Sequence, residues 1–205
     1  DIYVLKPVAK GYQAVTPDVV DKGISNFFSN LDDILVFIND LLQLKFTQAA
    51  SDGARFVVNS TVGLLGFIDV ASDFGLPKHN EDFGQTLGYW GVESGPYLVL
   101  PFFGPSSVRD APGFIVDSSM ELAIIYDNMS DPHLRGMLGL KYIDARADLL
   151  SISNIIEETA PDPYALIRDA WMQRRQSLVY DGNPPDIFNE DDLFEDDLFT
   201  DDIKR

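Results

Sequence analysis

Between Leu31 and Phe46 the apolar residues Leu31, Ile34, Leu35, Ile38, Leu41 and Leu42 recur at spacings of three and four. Asp32, Asp33, Asn39, Asp40 and Gln43 occupy the other positions. At about 3.6 residues per turn this register gathers the apolar side chains on one stripe, so the segment is an amphipathic helix. Phe27, Phe28, Phe37, Leu44 and Phe46 widen that stripe beyond what one core face requires. Strand-like alternation is missing elsewhere, apart from the short apolar run Tyr97 to Leu100. The fold class expected is therefore all-α, with short helices and long ordered connections.

Other helices follow from their ends. Thr16-Pro17-Asp18 supplies an N-cap, a proline suited to the first helical position and an acid that complements the dipole, so a helix runs from there to about Asn30. Pro7 and Gly11 leave the first fifteen residues irregular or weakly helical. Thr47 caps a third helix to about Leu65, and a short one follows near Asp69 to Phe74. After Ser106, read as an N-cap, helical signals return through Met120 to Tyr126. Two longer helices, Leu138 to Thr159 and Tyr164 to Tyr180, flank Ala160-Pro161-Asp162-Pro163. The stretch from Lys78 to Gly113 carries Gly84, Gly88, Gly91, Gly95 and Gly104 with prolines at 96, 101, 105 and 112. It reads as ordered loop and short helix, too aromatic for a flexible linker.

The 205 residues carry 33 acids against 15 bases, a net charge of −18. Such a field repels phosphate backbones, and no basic stripe interrupts it, so nucleic acid is disfavoured as a partner. Anionic headgroups are repelled as well; contact with a membrane would have to be made through apolar surface. The sequence holds no cysteine, which excludes disulfides and thiolate chemistry within it. Its longest greasy stretch, Phe56 to Ala71, is broken by Asn59, Ser60, Thr61 and Asp69, short of the ~20 apolar residues that cross a bilayer. Residues 1–181 read as one domain and 182–205 as an acidic tail. In that tail EDDLF, EDDLF and TDDIK form an imperfect five-residue repeat, and the residues from Asp186 onward hold nine acids and two bases. It reads as solvated and disordered; the alternative makes Leu193-Phe194 and Leu198-Phe199 anchors for a basic partner.

Catalytic chemistry finds little support. Gly91-Val92-Glu93-Ser94-Gly95 has one residue too many before the serine for a nucleophile elbow, and only His79 and His133 could act as its base. His79, Glu81 and Asp82 lie close in sequence, yet no second histidine sits at helical spacing for a metal. Phosphate-loop and dinucleotide-binding glycine patterns are missing too. No cofactor, no metal and no enzymatic activity are expected.

Two features do not suit a plain soluble core. Gly95 to Pro105, GPYLVLPFFGP, is far more apolar than a solvated loop should be. In Arg55 to Gly75 the residues Asn59, Gly63 and Gly66 stand among large apolar neighbours, where they would let helices approach closely and hydrogen-bond across the contact. Ordinary tight packing would explain this; so would a protein partly surrounded by lipid.

RFVVNSTVGLLGFIDVASDFG from Arg55 and FGQTLGYWGVESGPYLVLPFFGPSSVRDAPG from Phe83 resemble the MlaA (VacJ) family of outer-membrane lipoproteins. YVLKPVAKGYQAVTP, SNFFSNLDD and DPYALIRDAWMQRR resemble it as well, so the likeness spans most of residues 1–181 in the family's order. The resemblance implies a ring-shaped domain of amphipathic helices around a central channel, lying on the periplasmic side of the outer membrane. It implies removal of mislocalised phospholipids from the outer leaflet and their transfer to a periplasmic lipid carrier of the Mla pathway, with a trimeric porin as a further partner. A scaffold that binds porin and carrier without transporting lipid is the alternative. Members begin with an export signal and a lipid-modified cysteine, which this sequence does not contain; the anchor is expected in the full-length protein. The family's glycine-containing hairpin loop beside the channel matches the stretch around Lys78 to Gly91. This makes Phe83, Gly84, Gly88, Tyr89, Trp90 and Gly91 candidates for the channel and its gating loop. Tyr97, Leu98, Leu100, Phe102 and Phe103 are candidates for membrane or channel-rim contact.

Overall fold

In a computed structural model, residues 5–101, 103–127 and 129–185 are described. The acidic repeat, Phe102 and the first four residues lie outside them. The described residues form nine helices and one two-stranded antiparallel hairpin, so the expected all-α class holds.

Helix α1 spans Leu5–Val15, where the sequence suggested irregular chain. Its helicity comes from packing: Ala9 is wholly buried in a cluster with Ala147 and Leu150, and Tyr12 Oη donates to Asp144 at 2.9 Å. Pro7 lies in the first turn of α1, where proline is tolerated, and the tertiary contact overrides Gly11, which costs about 1 kcal/mol. Helix α2, Asp18–Leu42, joins the two helices expected at 16–30 and 31–46 into one of 25 residues. Leu44 turns the chain in a left-handed conformation (φ 61°) into α3, Phe46–Thr61, which packs back along α2.

Helix α3 stops four residues before the expected end, so Gly63 and Gly66 lie in the following turn rather than on a helix. The close approach is nevertheless present. Gly66 has φ +92°, and a Cβ there would stand 2.6 Å from the Asn30 side chain on α2. Asn59 organises the same turn, donating to Asp69 and accepting the Ala71 N–H, both at 2.9 Å. Asp69 caps the one-turn α4, Val70–Asp73, within the short helix expected near Asp69 to Phe74.

Asp82 caps α5, Phe83–Tyr89. The hairpin follows, β1 Tyr97–Leu100 paired with β2 Gly104–Ser107. Helix α6 is Asp110–Ile124; the serine that serves its start is Ser107, whose Oγ accepts the Asp110 N–H at 3.1 Å, and Ser106 lies in β2 instead. Helices α7, Asp131–Asp148, and α8, Leu150–Thr159, replace the single helix expected from Leu138. Helix α9, Pro163–Val179, starts at an Asp162 cap with proline in its first turn.

The burial pattern inverts the usual one. The largest fully buried side chains are Gln43, Gln85, Asn39, Asp33, Asp40, Asp52 and Ser107, all polar. Leu41, Leu42, Phe46, Leu64, Leu65 and Phe74 are meanwhile exposed. On α2 the buried residues are Asp33, Asn39 and Asp40 together with Phe28, Leu35 and Val36, while Leu41 and Leu42 are exposed, so the apolar stripe alone does not mark the inner face.

Candidate functional site: a charged-walled cavity inside a ring of helices

A cavity of about 620 Å³ opens between α1, the hairpin, α6, α7 and α9. Its greasy lining comes from Leu100 and Phe103 of the hairpin, Phe114 of α6, Tyr142 and Leu149 at α7 and Trp171 of α9. Contributors from both ends of the chain encircle one space, which makes the architecture ring-like. Phe103 stacks on Phe114 with centroids 4.6 Å apart and meets Tyr142 edge-on at 5.9 Å, and Tyr97 packs against Trp171 at 5.8 Å. The hairpin is thereby fastened to three helices through aromatic contacts.

Five charged side chains border the same space: Asp82, Asp110, Asp117, Arg146 and Arg175. Arg175 crosses from α9 to place two nitrogens on Asp82, at 2.5 and 2.8 Å, and donates to Asp110 at 2.9 and 3.2 Å. Arg109 adds a second guanidinium on Asp110 at 2.9 Å. Burial pushes the Asp82 carboxyl up, but the Arg175 guanidinium outweighs it and holds the group below the usual range. Asp117 accepts the Phe83 N–H at 2.9 Å and the Asn39 amide at 3.2 Å, and burial takes it to about 6.

The sequence candidates divide around this cavity. Leu100 and Phe103 line it, Tyr97 packs on Tyr164 and Trp171, and Leu98 is exposed and does not line it. Phe102 lies outside the described residues. The stretch matched to a gating hairpin is not one: residues 83–89 are a helix, and the hairpin is at 97–107. None of Phe83, Gly84, Gly88, Tyr89, Trp90 and Gly91 lines the main cavity. Gly84 is the contact surface of α5 on α6, and Gly88 and Gly91 border a separate cavity of about 360 Å³ with Arg109 and Val179. Trp90 is exposed, its Nε1 donating to the Leu42 carbonyl at 3.0 Å.

Sequence reasoning missed Arg175 as a wall residue, although a signal existed. Trp171, Arg175 and Leu178 follow one another at spacings of four and three, so the arginine interrupts an apolar stripe. A charge in that position has to meet a partner.

Catalytic groups do not assemble. Ser94 Oγ has no hydrogen-bond partner, while His79 is held by Asp52 at 2.8 Å and His133 by Ser130 at 2.9 Å. Glu81 serves Gln43, Lys45 and Gln48, so His79, Glu81 and Asp82 go to three different sets of partners. Among the described residues no helix is long and apolar enough to cross a membrane, and no group of three His, Asp or Glu side chains converges as a metal site.

The family model described as MlaA lipoprotein matches residues 1–178. The chain belongs to the MlaA lipoprotein family. Two relatives, from Escherichia coli and Haemophilus influenzae, are each named "Intermembrane phospholipid transport system lipoprotein MlaA". Each is 34% identical and aligns over 94% of this chain, covering 79% and 80% of its own length respectively. An uncharacterised protein of Rickettsia conorii is 36% identical over 87% of this chain and 71% of its own. The structure is similar to one solved for the "structural basis for maintenance of bacterial outer membrane lipid asymmetry", with TM-score 0.72 and 31% identity over 87% of this chain and 89% of that one. The MlaA resemblance of the two central sequence blocks is thus the family found over the whole domain. The named relatives carry the name of a phospholipid-transport lipoprotein, not of an enzyme.

Proposed function

We propose that this protein moves phospholipids at the outer membrane: it takes mislocalised lipids from the outer leaflet through the cavity inside the ring and passes them to a periplasmic carrier. The inverted burial carries this reading. Many large apolar side chains are exposed while carboxylates and amides are fully buried, an arrangement that is costly in water but suits a protein set partly in hydrocarbon. A phospholipid crosses a bilayer slowly because its headgroup must leave water. A cavity with charged residues on part of an otherwise apolar wall gives that headgroup polar partners without consuming energy.

The same reading places the protein on the periplasmic side of the outer membrane, held by a lipid anchor, with a trimeric porin and a carrier of the Mla pathway as partners. The relatives' names supply the phospholipid and the lipoprotein character. The test is expression of this protein in Escherichia coli whose own MlaA has been removed, with outer-leaflet phospholipid as the readout and mass spectrometry of lipids that co-purify. Restored asymmetry and bound phospholipid are expected. A membrane-localised protein that binds porin and carrier but neither holds lipid nor restores asymmetry would be a scaffold, and the transport reading would fall.

A further inference from the structure

A second pocket, about 210 Å³, lies between α2 and α7. Unlike the large cavity it is lined mainly by polar side chains, Ser25, Ser29, Asp32, Lys78, Lys141 and Asp144 among them. Ala145 is the one residue that lines both spaces.

The sequence of α7 explains this placement. At about 100° per residue, Lys141, Asp144 and Asp148 fall on one stripe and border the polar pocket. Tyr142, Arg146 and Leu149 fall on the adjacent stripe and border the large cavity. Position 145 is the seam between them, and alanine leaves it nearly empty. The neighbouring walls are firm. Lys141 holds Asp32 of α2 at 2.6 Å and Glu121 of α6 at 2.7 Å, and Lys78 holds Asp33. Asp144 is fixed by Tyr12 at 2.9 Å and Ser25 at 3.0 Å. The Lys141 and Asp144 contacts hold α7 at a set distance from α1, α2 and α6, so the space left over position 145 depends on the size of that side chain.

We infer that Ala145 is the throat between an acyl-chain compartment and a headgroup compartment, the point over which a phospholipid's polar end must pass. The inference rests on the transport reading above and goes one step further. The volumes fit the division. The large cavity has about three times the space and most of the apolar lining, while 210 Å³ is the share of roughly seven waters, enough for a hydrated headgroup and too small for a pair of acyl chains. Both signs of charge border the polar pocket, which matches a zwitterionic phospholipid whose phosphate and ammonium lie close together.

Because the sequence has no cysteine, Ala145→Cys introduces a single thiol that can be modified after folding. The expected result is that a bulky aromatic adduct lowers outer-leaflet clearance at least tenfold relative to the same variant left unmodified, with phosphatidylethanolamine followed as the transported lipid. Ala145→Trp should likewise clear lipid at least tenfold more slowly than wild type, with thermal unfolding recorded to show that the fold is intact. If the bulky adduct on folded protein clears lipid at the wild-type rate, Ala145 is not the throat. That failure is distinct from failure of the transport reading, in which unmodified wild-type protein would already clear nothing.

Discussion

A Cβ placed on Gly113 would stand 2.6 Å from the backbone nitrogen of Gly84, so the first turns of α6 and α5 touch backbone to backbone. Gly84 is equally constrained from its own side, where a Cβ would lie 2.4 Å from the Asp110 carboxylate. The contact brings Asp82, at the start of α5, and Asp110, at the start of α6, within reach of one guanidinium. Gly113→Ala is expected to lower stability by about 1–3 kcal/mol, since backbone must move to admit the methyl. Gly91→Ala meets nothing within 4 Å and carries only the strain of φ +89°, about 1–2 kcal/mol. Urea unfolding of both variants checks the contrast; a more damaging Gly91→Ala would place the packing constraint at the wrong end of α5.

Arg175→Met would leave Asp82 and Asp110 with unmatched charge on the cavity wall. Removing one partner of a buried pair costs about 3–5 kcal/mol, and the lower end applies because the Asp82 side chain is 37% exposed. The sign of the pH effect follows from the lowered Asp82 value. Its stabilisation is present above the unfolded carboxylate pKa and is lost as pH falls through the folded one. Wild type should therefore lose stability on acidification below about pH 4, and Arg175→Met should lose less, because Asp82 no longer has a guanidinium to release. Thermal unfolding at pH 3 and pH 6 measures both slopes.

The Gly84–Gly113 contact and the place of Arg175 were not legible in the sequence, whereas more local features were. Periodicity located α2 and α9, because that signal is local, whereas the caps expected at Thr16, Thr47 and Ser106 are not the ones found: Pro17 and Lys45 precede α2 and α3 without a side-chain cap, and Ser107 serves α6. Helix α1 was hidden, since its stability comes from Ala9 and Tyr12 meeting residues more than 130 positions away. Periodicity also gives the faces of a helix without naming the medium each one meets. Asp33, Asn39 and Asp40 separate cleanly from the leucines of α2, yet their burial depends on α3, α5 and α6 closing over them. The cavity wall assembles Asp82, Asp110, Asp117 and Arg175 from three helices, and no spacing rule links such positions.

Asp40 shows the consequence of that interior. Burial, and after it the Asp52 carboxylate, push Asp40 up to about 8, and neither of its oxygens has a donor. Two adjacent buried carboxylates cannot both ionise cheaply, so the pair holds a proton. A folded value above the unfolded one means that this stabilisation is complete below about pH 4 and is lost as pH rises through 8. Asp40→Asn supplies a permanent amide donor toward Asp52 and removes the slope. Its melting temperature should be close to wild type at pH 5 and higher than wild type at pH 9; equal values across that range would mean that Asp40 carries no extra proton.

Leu64 and Leu65 form the tip of the turn after α3, with φ of 53° and 61° and exposures of 66% and 68%. Both features oppose stability in water: leucine is disfavoured in left-handed backbone, and its side chain gains nothing while exposed. Asparagine accepts the same backbone more readily. The double variant Leu64→Asn and Leu65→Asn should therefore unfold at the same or a higher temperature than wild type. If the tip inserts into lipid, each leucine contributes about 1.5 kcal/mol or more on burial, and losing both should weaken partitioning onto phosphatidylethanolamine-containing vesicles roughly a hundredfold. Flotation with vesicles measures the second effect and calorimetry the first. A protein that keeps its melting temperature and its vesicle binding would put this turn outside the membrane, whereas loss of binding alone would show that the strain at Leu64 and Leu65 is retained for contact with lipid.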